Sequence, residues 1–288
     1  MQMGKRMFPA VAVLLLVLVA IATRADSVIR CKDSRGHWQF TDDERKCAGR
    51  QQVEQLEVEL QNWHSEFGAV QSYDYHSYPF RAHQALAGYS IRINVEESLL
   101  KADPELVRKV ASRLEENHRK ALSLFPSYHA HLFGDVTYFI YGGEEYHDQS
   151  LVHGLWYIRR GNSVSPRWDD SIVVRSASHY MTLSDIRALS AAVHELAHGY
   201  YHYKGRYTYK ASREAYEQAK AGKLYLNVRR PDGYVIKKAY ALKNWAEYFA
   251  ELTVMYFYRE SNYPFNQDSL KTYDPAGYEL ITNAWFRQ

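Results

Sequence analysis

Hydrophobic and polar positions recur with clear periods along most of the chain. Tyr89 to Val95 alternates apolar and polar residues, which predicts a strand. Asp103-Pro104-Glu105 opens a helix, the aspartate as cap and the proline at the first helical position. Leu106, Val110, Leu114, Ala121 and Leu122 supply its apolar face, and Phe125-Pro126 ends it. Val136 to Tyr141, Gly154 to Arg159 and Ser171 to Arg175 predict three more strands. A helix then begins near Thr182 or Ser184 and runs to about Tyr201. A second, Ala241 to Tyr258, keeps Ala246, Phe249, Ala250, Thr253 and Phe257 on one apolar face. Tyr273-Asp274-Pro275 caps a last helix through Trp285. Strands with one helix, followed by helices, predict an α+β domain over residues 81–288.

The N-terminal part follows other rules. Asp33 to Gly36 is turn chemistry and His37 to Thr41 alternates, so a small hairpin is expected within residues 26–50. Over 51–80 the pattern supports two readings. Leu56, Val58 and Leu60 alternate with Glu57 and Glu59 as in a strand, while Val53, Leu56, Leu60 and Trp63 fit a helix. Gln71 to Pro79 is polar, rich in tyrosine, and reads as a linker.

Residues 1–25 read as an address. Lys5 and Arg6 precede an apolar run from Phe8 to Ala22, 15 residues where a membrane span needs about 20. A charged start, an apolar middle and a small-residue exit make a secretory signal, cleaved after Ala22 or Ala25 or retained as an anchor. The mature chain is then expected in the periplasm or the medium, without stable membrane insertion. In an exported chain the only two cysteines, Cys31 and Cys47, read as one disulfide. Charge adds an exclusion. Removing Lys5, Arg6 and Arg24 from the 36 basic residues leaves 33 against 33 acidic ones, so a polybasic nucleic-acid binder is not expected. The Cys-bracketed segment resembles a short module of unknown function at the start of many bacterial envelope proteins.

The strongest chemical pattern is His194-Glu195-Leu196-Ala197-His198 within the helix that begins near Ser184. Residues four apart share a helix face, so two imidazoles can meet one metal ion, and the intervening glutamate can serve as general base. A zinc site needs a third protein ligand. His202 lies about 12 Å of helical rise from His194, too far to share the ion. Ten residues after His194 stands Lys204, which excludes the longer three-histidine pattern. The better candidate is Glu247, with Glu251 one turn on, because two carboxylates on a largely apolar helix need a partner or a metal. Glu247 would be the third ligand, and Glu251 would accept a hydrogen bond from a ligand imidazole.

H-E-x-x-H followed by a helix with Glu247-Tyr248-Phe249-Ala250-Glu251 resembles the gluzincin metallopeptidases. The 49-residue step from His198 to Glu247 is most similar to the catalytic domain of the anthrax lethal factor family. The resemblance covers roughly residues 180–260. It implies a zincin-like fold with one zinc ion, and an oxyanion-stabilising hydroxyl from Tyr240, seven residues before Glu247. It also implies an edge strand, Leu155-Trp156-Tyr157, that pairs with an extended substrate. The expected function is an exported zinc endopeptidase acting on a peptide or protein. A zinc amidase acting on cell-wall peptide, or a non-catalytic binding protein on a peptidase scaffold, are the alternatives.

Overall fold

The computed structural model describes residues 28–32, 38–41, 53–56, 78–143, 154–161 and 165–287. The chain divides into two compact units, Met1–Glu66 and Phe67–Gln288. The apolar segment 8–22, both cleavage positions, Cys47 and the polar stretch Gln71 to Ser77 lie outside the described residues. Among the described residues no helix is long and apolar enough to cross a membrane.

In the first unit, β1 (Val28–Lys32) is flanked by β2 (Trp38–Thr41) and β3 (Val53–Leu56), both antiparallel to it. The β1–β2 pair is the hairpin the alternation predicts. Cys31 sits opposite Gln39 on one side and Val53 on the other. Over the described residues Val53–Leu56, the ambiguous stretch is a strand, and it adds to this sheet.

The second unit is mixed α and β. Five strands stand in the order β4, β5, β6, β8, β7, taking β4 as His83–Ala85, β5 as Arg92–Glu96, β6 as Thr137–Ile140, β7 as Leu155–Ile158 and β8 as Ser171–Val174. β5, β6 and β8 run parallel, and the two edges, β4 and β7, run antiparallel to their neighbours. Side chains alternate between the two faces, as strand geometry requires. Tyr138, Ile140, Ile172, Val174, Leu155 and Tyr157 enter the main core. Phe139, Tyr141, Val173 and Ile158 face the other way and pack with Tyr78 and Trp168. Cover on both faces explains why β6, β7 and β8 are apolar almost throughout.

Helices cover the main-core face. After α1 (Glu97–Ala102), α2 (Pro104–Leu124) is capped by the Asp103 side chain, which accepts from the Leu106 N–H at 2.9 Å. The predicted helix from Thr182 or Ser184 begins at the second position. α3 (Ala177–Thr182) is a separate short helix, and Ser184 caps α4 (Asp185–Lys204). α4 is buried nearly all round from Ala191 to Ala197, lying between the sheet and α6 (Trp245–Phe257). Between them come α5 (Arg206–Ala221) and the hairpin β9 (Leu226–Arg229) and β10 (Val235–Lys238). α7 (Gln267–Tyr273) and α8 (Pro275–Phe286), the latter capped by Asp274, complete the unit.

Candidate metal centre

Two helices build the site. The inner face of α4 carries His194 and His198 one turn apart, and α6 presents Glu247 to both. Glu247 owes its position to a cap. Asn244 has an extended backbone, and its side-chain oxygen accepts from the N–H groups of Ala246 (2.9 Å) and Glu247 (3.0 Å). Glu247 is thereby fixed in the first turn, with its carboxylate aimed at α4. This differs from the continuous Ala241–Tyr258 helix read from the sequence. The chain makes a 3-10 turn over Tyr240–Leu242, breaks at Asn244, and restarts.

The donor atoms converge. His194 Nε2 and His198 Nε2 are 3.1 Å apart, and Glu247 Oε2 lies 3.1 Å from the first and 3.0 Å from the second. Among the described residues this is the one group of three or more His, Cys, Asp and Glu side chains placed to hold a metal ion. Ligand atoms 2.0–2.1 Å from a tetrahedral ion would stand roughly 3.3–3.4 Å from one another. The observed triangle is within a few tenths of an ångström of that. The electrostatics agree. Burial opposes charge on both His194 and Glu247, yet the contacts between them prevail, lowering the carboxyl of Glu247 and raising the imidazole of His194 well above its ordinary value. A site whose glutamates force positive charge onto a buried histidine is one that a cation fits.

The surrounding residues complete the geometry. Glu251 Oε1 lies 2.8 Å from His194 Nδ1, the nitrogen turned away from the triangle. That contact fixes the ring orientation and leaves Nε2 to the centre. Glu195 is buried (4% exposed), and burial pushes its carboxyl up despite the two nearby histidines. Its Oε2 accepts from the backbone N–H of Tyr157 at 2.7 Å, tying the glutamate to β7. Gly199 leaves room for the Tyr157 ring, which a Cβ there would meet closely at 3.3 Å. Tyr240 reaches the centre from its 3-10 turn, donating its hydroxyl to Glu247 Oε1 at 3.1 Å. Burial, then the carboxylates of Glu247 and Glu195, push its phenol up, so the proton stays on.

Six of the residues singled out from sequence therefore meet at one place: His194, Glu195, His198, Tyr240, Glu247 and Glu251. Leu155, Trp156 and Tyr157 form an edge strand beside them, but their side chains are engaged. Leu155 and Tyr157 are buried in the main core. Trp156 packs on the opposite face, edge-on to Trp168 and beneath the Arg175 guanidinium. The strand's outer backbone edge pairs with no other strand among the described residues. His202 stays out of the triangle, its ring stacked on Tyr157 and its Nδ1 2.9 Å from the Tyr209 hydroxyl.

Two contacts are absent from the sequence reading. One is the Tyr157 N–H to Glu195, which no side-chain pattern encodes. The other is Lys243, whose Nζ donates to the Tyr240 hydroxyl at 2.7 Å and to Glu247 Oε1 at 2.9 Å. Its spacing, three after Tyr240 and four before Glu247, was the available clue. Comparison with protein-family models, with curated proteins and with solved structures finds no match.

Proposed function

We propose that this protein is a zinc-dependent endopeptidase, of zincin-like fold and gluzincin type, exported to the periplasm or the medium. The observation that carries the reading is the meeting of His194, His198 and Glu247 at one point, with Glu195 on the same helix turn and Tyr240 on the remaining oxygen of Glu247. His194, His198 and Glu247 would hold the ion, and a borderline-soft N2O donor set of this shape favours zinc. The chemistry zinc supplies in such a pocket is Lewis acidity, a more acidic water and a polarised carbonyl.

The chain's own residues do the rest. Glu195 takes the proton of the attacking water and delivers it to the leaving amine. Its raised affinity for a proton suits both halves of that exchange. Tyr240 keeps its proton and donates a hydrogen bond to the developing oxyanion. Glu251 holds His194 in one tautomer. β7 has a strand on one side only among the described residues, so its outer edge can align an extended peptide by main-chain hydrogen bonds. The Tyr157 N–H couples that edge directly to the base.

The test is metal content together with turnover. Wild-type protein should bind one zinc per chain and cleave peptides. A chelator should abolish cleavage, zinc should restore it, and His198→Ala or Glu247→Ala should lose both zinc and activity. Full peptide cleavage in chelator, or zinc retained at one per chain in Glu247→Ala, would refute the assignment.

A further inference from the structure

We propose that Lys243 is the positioning residue of this centre. Its ammonium holds one oxygen of Glu247, so that the other is presented to the metal. It also keeps that oxygen compensated when Tyr240 turns its hydroxyl toward substrate. The inference rests on the zinc reading above.

The local backbone explains why Lys243 can do this. Tyr240–Leu242 is a 3-10 turn, closed by the Lys243 N–H donating to the Tyr240 carbonyl. In 3-10 geometry the side chains of residues three apart eclipse. Lys243 therefore lies along the Tyr240 ring, Nζ 4.7 Å from its centroid and 2.7 Å from its hydroxyl oxygen. Glu247 is four residues further on, across the N-terminus of α6, and Nζ reaches its Oε1 at 2.9 Å. The two oxygens of Glu247 are thus divided. Oε1 takes Lys243 and Tyr240, and Oε2 takes both histidines.

Helix stability gives no reason for a lysine here. A cation immediately before a helix N-terminus opposes the macrodipole. The side chain is 51% exposed, so it contributes little to the core, whereas that of Glu247 is only 12% exposed. The arrangement has a further consequence. Tyr240 accepts from Lys243 while donating to Glu247. When its O–H swings to an oxyanion, Oε1 loses one donor and retains the other. The lysine charge then stands one hydroxyl away from the developing negative charge.

Lys243→Met and Lys243→Arg test this, with Tyr240→Phe and the Tyr240→Phe/Lys243→Met double variant as partners. Zinc affinity is measured by chelator competition, and kcat and KM on a cleaved peptide at saturating zinc. Lys243→Met should weaken zinc 10–100-fold, as loss of a group supporting a ligand does, while Lys243→Arg stays within about threefold. At saturating zinc, kcat of Lys243→Met should fall about tenfold with little change in KM, and the loss should not add to that of Tyr240→Phe. Affinity within twofold of wild type in Lys243→Met would overturn the role on Glu247. Additive kcat losses would overturn the role on Tyr240. Wild type that binds zinc and cleaves no peptide would refute the peptidase reading, and the affinity comparison would still decide the role of Lys243 on Glu247.

Discussion

Replacing Asp274 by alanine should destabilise the second unit severely, and the size of the effect follows from three hydrogen bonds. Asp274 is 2% exposed. Its Oδ1 caps α8 by accepting from the Gly277 N–H at 2.9 Å. Its Oδ2 accepts from the hydroxyls of Tyr225 (2.9 Å) and Tyr248 (2.5 Å). Both phenols are pushed up, first by burial and then by the carboxylate itself, so each keeps the proton it donates. Losing the cap costs about 1 kcal/mol. Leaving two buried hydroxyls without an acceptor adds about 1–3 kcal/mol each. The total is about 3–7 kcal/mol against a stability of about 5–15 kcal/mol for a typical domain. At about 2–4 °C per kcal/mol in a unit of this size, Tm should fall by roughly 6–28 °C. Asp274→Asn keeps an oxygen for the cap and should lose markedly less. Tyr248→Phe removes a donor without stranding one and should cost only about 1 kcal/mol. Urea and thermal unfolding of the zinc-saturated proteins measure all three. A loss below about 1 kcal/mol in Asp274→Ala would refute the reasoning. The effect bears on the site because Tyr248 follows Glu247 on α6, so this clamp holds the helix that presents Glu247 to the two histidines.

Two further outcomes follow from single contacts. Glu251→Ala should weaken zinc 10–100-fold in chelator competition while leaving the stoichiometry at one, because it frees the His194 ring to turn. Unchanged affinity would remove Glu251 from the centre. His118 Nδ1 lies 2.9 Å from the Tyr138 hydroxyl, and burial lowers its pKa to about 4 against 6.5 for the free group. Between those values the unfolded chain binds the extra proton, so stability falls as pH drops through that window. The loss from pH 7 to pH 5 should be about 2 kcal/mol from this residue. His118→Gln should show a correspondingly shallower pH dependence by urea titration. Equal slopes in the two proteins would contradict it.

The legible parts of the chain were those where local pattern and local chemistry agree. Asp103 and Asp274 announce their helices as caps followed by proline, and both act as such. The four main strands read correctly to within about three residues, β5 from its alternation and β6, β7 and β8 from the nearly unbroken apolar runs that cover on both faces demands. His194, Glu195 and His198 share a helix as their spacing requires, and paired glutamates on a buried helix identified Glu247 and Glu251. What stayed hidden depends on tertiary context. α5 and the β9–β10 hairpin fill the interval between the two halves of the site. The buried stripe of α5 (Thr208, Ser212, Ala215, Tyr216 and Ala219) is built largely from small or polar residues, and β9 and β10 are mostly exposed, so the apolar signal is weak there. The break at Asn244 was read through as helix, since capping asparagine and helical asparagine look alike in sequence. Yet that break is what lets Tyr240 and Lys243 reach Glu247 from a 3-10 turn. The hydrogen bond from the Tyr157 backbone to Glu195 carries no residue preference at all.

The most direct measurement of the central claim is cleavage of a diverse peptide mixture, read by mass spectrometry, for purified wild type beside Glu195→Gln, each loaded with zinc. The account predicts equal zinc content in the two proteins, cuts by the wild type that a chelator abolishes, and turnover in Glu195→Gln lower by several orders of magnitude. Glu195→Gln cutting at the wild-type rate, or a zinc-loaded wild type that cuts nothing in the mixture, would contradict it.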